Sequence, residues 1–250
     1  MVNLSVMSTL ENNGKSLQGS ETLRVFAVSD VVEPQIYNSG VADWLGPVDI
    51  MFSCGDLPPY YLDFLVSTFH APMFHVLGNH CDVPHDSVTN RCSPGAYAGA
   101  QNLNGRLAEY RGLLLGGVEG SPVYNRGPHQ YNEQQMELNL LRLVPGMILN
   151  KVRTGRYLDV LLTHAPPRGI HDNTDIAHRG FTSLIPFIER FKPALLLHGH
   201  THRYDPMQPV RTRYAETEIV NAYGHVLLDL SRDNGVSAWK VAATTESRRG

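Results

Sequence analysis

The chain has 250 residues and a formal net charge of −3, with 42% hydrophobic residues. That size suits one α/β domain with a sizeable core. The charge gives no basic field, so nucleic acid is not an expected partner, and no stretch nears the roughly 20 apolar residues of a membrane helix.

Residues 1–21 are polar, with neither a basic n-region nor an apolar h-region, and read as a flexible leader without a secretion signal. Residues 22–230 read as one domain, and 231–250 as a loosely ordered tail except around Val236 to Val241. Cys54, Cys81 and Cys92 are an odd set without regular spacing, which argues against a disulfide framework and for a reducing, cytoplasmic setting.

The first β-rich run, Leu23 to Val28, ends at Ser29-Asp30. A short helix is expected over Ile36 to Leu45, with Pro47 stopping it. Val48 to Cys54 is a second strand ending at Gly55-Asp56, so the strand-then-carboxylate pattern repeats. Pro58-Pro59 can open a helix through Tyr60 to His70. Met73 to Leu77 is a third strand, ending at Gly78-Asn79-His80. This alternation is the rhythm of βαβ units with right-handed crossovers.

Residues 83–103 are rich in Pro, Gly, Ser and Asn and read as a long loop, of the kind that covers binding sites. Arg106 to Tyr110 and Leu113 to Val118 flank Arg111-Gly112 and predict a hairpin. After an irregular stretch from Gly120 to Gln130, Asn132 and Gln135 introduce a helix that Pro145 should end or kink. Tyr157 to Leu162 is a strand whose tip is Thr163-His164-Ala165-Pro166-Pro167. A helix over Phe181 to Phe191 leads into the strand Ala194 to Leu197 and the dense cluster His198-Gly199-His200-Thr201-His202. Thr217 to Val220 and His225 to Leu230 read as a closing hairpin.

Five strand tips thus carry carboxylates, an amide and imidazoles. If they converge on one sheet edge, where α/β sheets keep their chemistry, the mixed O/N set suits Mn, Fe, Zn or Ni better than Ca or Mg. One or two divalent ions are expected, and a pair about 3.5 to 4 Å apart could activate water while neutralising a phosphoryl group. Taken singly, each has a plainer reading: Asp30 and Asp56 as helix caps, His164 and His198 as structural histidines, His80 as a surface side chain. Cys81 with Cys92 reads as incidental thiols rather than a redox pair.

The ordered blocks Ser29-Asp30, Gly55-Asp56, Gly78-Asn79-His80, Thr163 to Pro167 and Gly199 to His202 resemble those of the calcineurin-like metallophosphoesterases. The resemblance implies an αββα sandwich of two mixed sheets flanked by helices. It also implies metal-dependent hydrolysis of a small-molecule phosphomonoester or phosphodiester by metal-bound hydroxide, with the diester slightly favoured. Carried over by motif, Asp56 would bridge two ions, Asn79, His164 and His200 would complete one site, and Asp30 and His202 would belong to the other. His80 would be the general acid. Arg168 and His178, downstream of the His164 tip, are candidates to bind substrate.

Two residues depart from the family pattern. Val32 stands where a histidine of the Asp30 site is expected, which weakens that site, and Pro59 stands where an acidic residue or asparagine often supports the catalytic histidine. Asp82 is a candidate replacement for the latter. These departures motivate two rival readings: a metal-binding or regulatory module without turnover, and a mononuclear hydrolase of another bond such as an amide or thioester.

Overall fold

A computed structural model describes residues 21–80, 97, 99–202, 208–232 and 238–246. Residues 1–20 of the leader and most of the 83–103 stretch, with Cys81, Asp82 and Cys92, lie outside the described residues, and Glu21 already belongs to the first strand. The first half of the chain forms β1 (Glu21–Ser29), α1 (Val41–Leu45), β2 (Ile50–Ser53), α2 (Pro59–Phe69), β3 (Met73–His75) and β4 (Ala100–Asn102). The hairpin strands β5 (Arg106–Tyr110) and β6 (Leu113–Val118) follow, then the short β7 (Ser121–Pro122) and β8 (Gln130–Tyr131). The second half comprises α3 (Glu133–Thr154), β9 (Val160–Thr163), α4 (Leu184–Phe191), β10 (Leu195–His198) and β11 (Arg211–Tyr214). β12 (Thr217–Asn221), β13 (Gly224–Arg232) and β14 (Lys240–Glu246) complete it.

Two six-stranded sheets result, ordered β14-β13-β1-β2-β3-β4 and β11-β12-β10-β9-β6-β5. Alternation along the strands explains how they stack, because successive side chains point to opposite faces. Val25 and Ala27 of β1 join Ile50, Leu115, Leu162, Leu197 and Leu228 in the core between the sheets. Their neighbours Phe26 and Val28 face the other way, onto Tyr61, Leu62 and Leu65 of α2. The second sheet repeats this: Leu161 and Leu196 pack outward on Met136, Leu140, Phe187 and Ile188 of α3 and α4. The layers therefore run helix, sheet, sheet, helix, as expected, and apolar runs covered on both faces read as continuous hydrophobic segments.

Several local expectations are corrected. The first helix is confined to Val41–Leu45, because residues 34–40 form turns before it. The helix begun by the Asn132–Gln135 capping box does not end at Pro145 but runs to Thr154. Met136, Leu140, Leu143 and Met147 are buried on both sides of the proline, so the packed face outweighs one missing hydrogen bond. Thr217–Asn221 and Gly224–Arg232 are not a hairpin. β12 pairs with β10 and β11, while β13 pairs with β1 and β14, so the turn between them carries the chain from one sheet to the other. The 83–103 stretch closes on a strand, β4, paired with β3, and within the stretch read as a loose tail β14 pairs with β13.

β1, β2 and β3 run parallel in the first sheet, and β6, β9, β10 and β12 in the second. All the motif residues follow the carboxyl ends of these strands. No helix among the described residues is long and apolar enough to cross a membrane.

Candidate metal centre

Both sheets contribute to one cluster. From the first come Asp30 after β1, Asp56 after β2 and Asn79 after β3; from the second come His164 after β9 and His200 after β10. Asp30, Asp56 and His200 hold positive φ values of 65°, 55° and 65°, a conformation that costs non-glycine residues energy. Such strain at three strand tips aims the side chains inward and is common at functional sites.

His164 is the pivot. It is fully buried, and its Nδ1–H donates to the Cys54 carbonyl at 2.7 Å, which ties one sheet to the other and leaves Nε2 facing the cluster. Nε2 lies 3.2 Å from Asp56 Oδ2 and 3.1 Å from Asn79 Oδ1. Ligand atoms about 2.1 Å from one octahedral ion stand about 3 Å apart, so the spacing fits a shared cation. Burial alone would lower the His164 pKa, but the Asp56 carboxylate beside it and Asp30 raise it to about 9. In the metal-free form a proton stands where a cation would. The same pairing acts on Asp56: burial pushes its pKa up, His164 outweighs that, and the carboxyl is held at about 2.

Asp56, His164 and His200 offer donor atoms all within 4.8 Å of one another. The His200 Nε2–H donates to the Ala177 carbonyl at 2.6 Å, so Nδ1 is left as its ligand atom, and burial drives its pKa down to about 3. A neutral imidazole is the form that binds metal. Carboxylate, amide and two imidazoles thus fit a divalent transition ion.

Asp30 and His202 stand outside this tight group. The Asp30 carboxylate accepts the His200 backbone N–H at 3.0 and 3.2 Å, and burial raises its pKa. The His202 ring lies 4.9 Å from Tyr223 and 5.5 Å from His178. Val32 packs against the outer apolar cluster beneath α1 and α2.

His80 is exposed at the rim, its backbone N–H bound to Asp56 Oδ1 at 2.8 Å. Tyr124, in the irregular stretch from Gly120 to Gln130, stands beside His80. Its hydroxyl accepts from Asn79 Nδ2 at 3.0 Å and lies 3.4 Å from His80 Nε2. Pro59 itself forms the first turn of α2. Glu119 was missed too: it follows β6 beside the His164 tip, buried, and accepts from His129 and Tyr131 at 2.9 and 2.7 Å. The tip Val118-Glu119-Gly120 repeats the strand-then-carboxylate pattern and was the signal for it.

His178 reaches the cluster, its ring 5.4 Å from His200 and its Nδ1 2.9 Å from Asp175. Arg168 instead pairs with Asp172 at 3.3 Å. His198 is engaged at both ring nitrogens, by Gly199 O and His171 Nδ1, as a structural histidine would be.

Residues 24–204 match the calcineurin-like phosphoesterase family. Among solved structures, one chain matches at 15% identity with a TM-score of 0.55, covering 90% of this chain and 100% of its own. TT1561 of Thermus thermophilus matches at 15% identity and a TM-score of 0.53, over 89% of this chain and 99% of that one. These likenesses bear on fold alone. Comparison with curated proteins finds no match.

Proposed function

The chain belongs to the calcineurin-like phosphoesterase family, and we propose that it hydrolyses a phosphoester of a small molecule, a phosphodiester by preference. The observation that carries this reading is the convergence of Asp56 Oδ2 and Asn79 Oδ1 on His164 Nε2, at 3.2 and 3.1 Å. Asp56, Asn79, His164 and His200 would hold one ion, and Asp30, Asp56 and His202 a second, weaker one. A divalent ion held there, Mn, Fe, Zn or Ni, would lower the pKa of water toward about 7 and neutralise phosphoryl oxygens.

The chain's own groups do the rest. The Cys54 and Ala177 carbonyls fix the tautomers and aim of His164 and His200. His80 gives a proton to the departing oxygen, with Tyr124 holding its ring. Elemental analysis together with hydrolysis of bis-p-nitrophenyl phosphate and p-nitrophenyl phosphate in added Mn tests the reading. Turnover that Asp56→Asn abolishes, with loss of bound metal, is the expected result. Bound metal without turnover of either ester would favour a binding module, the reading that the packing of Val32 away from the cluster motivates.

A further inference from the structure

The segments around Tyr124 and Ala177-His178 also line a cavity of about 390 Å³, a size that takes a small organic group. Its walls come from the two segments that touch the cluster. Val123 precedes Tyr124, whose hydroxyl meets Asn79 and His80. Ile176 precedes Ala177, whose carbonyl holds His200, and Arg179 follows His178, whose ring lies 5.4 Å from His200. The same two segments thus serve both the cluster and the cavity.

The lining has two characters. Val123 and Ile176 are 43% and 60% exposed, with buried Phe181 in the same lining, so apolar surface faces the space from several sides. Arg168 and Arg179 also line it. Asp172 accepts the Gly169 and Gly180 N–H groups and thereby holds Arg168 in place. Arg179 makes no ion pair among the described residues. The one carboxylate of the lining, Glu133, is already used by the N–H groups of Thr182 and Ser183 where α4 begins. Arg168, paired with Asp172, and Arg179, without an ion pair among the described residues, thus line one space, and a guanidinium suits a carboxylate or phosphate.

Resting on the phosphoesterase reading, we propose that this cavity receives the substrate's leaving group, and that the group joins an apolar body to a second negative charge. Val123 and Ile176 cover the body while Arg168 and Arg179 read the charge. The class is an aromatic or similarly apolar alcohol bearing a carboxylate or a further phosphate.

The test compares kcat/KM for phenyl phosphate and 4-carboxyphenyl phosphate, and in parallel measures calorimetric binding of 4-hydroxybenzoate, the second ester's product. The carboxylated ester should be favoured about tenfold or more, and Arg168→Gln with Arg179→Gln should shrink that preference below about threefold. Arg179→Gln alone, at an exposed position without an ion pair among the described residues, keeps the comparison available if the double variant fails to fold. 4-Hydroxybenzoate should bind to Asp56→Asn as to the parent and lose its binding in the arginine variants. Hydrolysis without the preference, or binding indifferent to both arginines, overturns the assignment. Arginine-dependent binding with neither these monoesters nor bis-p-nitrophenyl phosphate turned over leaves the cavity's chemistry standing and overturns the phosphoesterase reading instead.

Discussion

Replacing Gly78 by alanine tests whether the cluster depends on close approach between strand tips. A Cβ at Gly78 would stand 2.0 Å from Asp56 Oδ1, 2.4 Å from its Cγ and 2.6 Å from His164 Cε1. Side-chain carbons keep at least about 3 Å from such atoms, so the carboxylate must retreat by about 1 Å. Oδ1 accepts the His80 N–H at 2.8 Å and Oδ2 faces His164 at 3.2 Å, so a retreat of that size breaks the first and misaligns the second. A lost hydrogen bond to a charged group costs about 1.5–3 kcal/mol and overpacking about 1–3 kcal/mol. We expect about 3–5 kcal/mol in all, a large part of the 5–15 kcal/mol typical of a domain. Gly155→Ala is the control. That glycine caps α3 at a φ of 78° with nothing within 4 Å, so only the left-handed backbone is penalised, by about 1 kcal/mol. Denaturant melts give both costs, and elemental analysis reports whether Gly78→Ala still holds metal. A Gly78 variant as mild as the Gly155 one, with undiminished metal, would refute the reasoning.

Three further outcomes follow from the geometry. The His164 pKa is raised from 6.5 to about 9 in the metal-free protein, so its stabilising pairing with Asp56 is complete below about pH 6.5 and fades as pH rises through 9. An incoming ion must displace that proton, so apparent Mn affinity should rise up to about tenfold per pH unit from pH 6.5 to 9 and then level off. Calorimetry in buffers of different ionisation heat would count about one proton released, and a pH-independent affinity would contradict it. Tyr124→Phe removes the hydroxyl between Asn79 and His80. Rates on esters with alkyl leaving groups, which need the proton, should fall about tenfold or more, against about twofold for p-nitrophenyl esters; equal losses would deny Tyr124 a part in orienting His80. Pro145 is exposed inside α3, and Pro145→Ala restores a helical donor, so thermal unfolding should show a gain of about 1–2 kcal/mol; a loss would mean that the proline's ring is needed by the packing.

How much was legible in the residues can be judged at the strand tips. The αββα architecture could be read because apolar runs ending in Asp30, Asp56, Asn79, His164 and the His200 loop recur in an order that matches a family pattern. Register was less legible. Thr217–Asn221 and Gly224–Arg232 are β-rich and adjacent, which describes a hairpin as well as a crossing between sheets. Only the packing of the second sheet against the first separates the two. Pro145 misled for a related reason: local propensity ends a helix there, and burial of Met136 to Met147 around it wins.

The sequence by itself determined which groups stand at the carboxyl ends of the strands, because a period of two and flanking glycines are local properties. The tertiary structure alone decided which of them meet. Asp56, His164 and His200 are brought within 4.8 Å from two different sheets, and Tyr124, in a stretch with no periodicity, reaches His80 across 44 positions of chain. Contacts at such separations arise from how the two sheets close on their common core, which no short window of residues encodes.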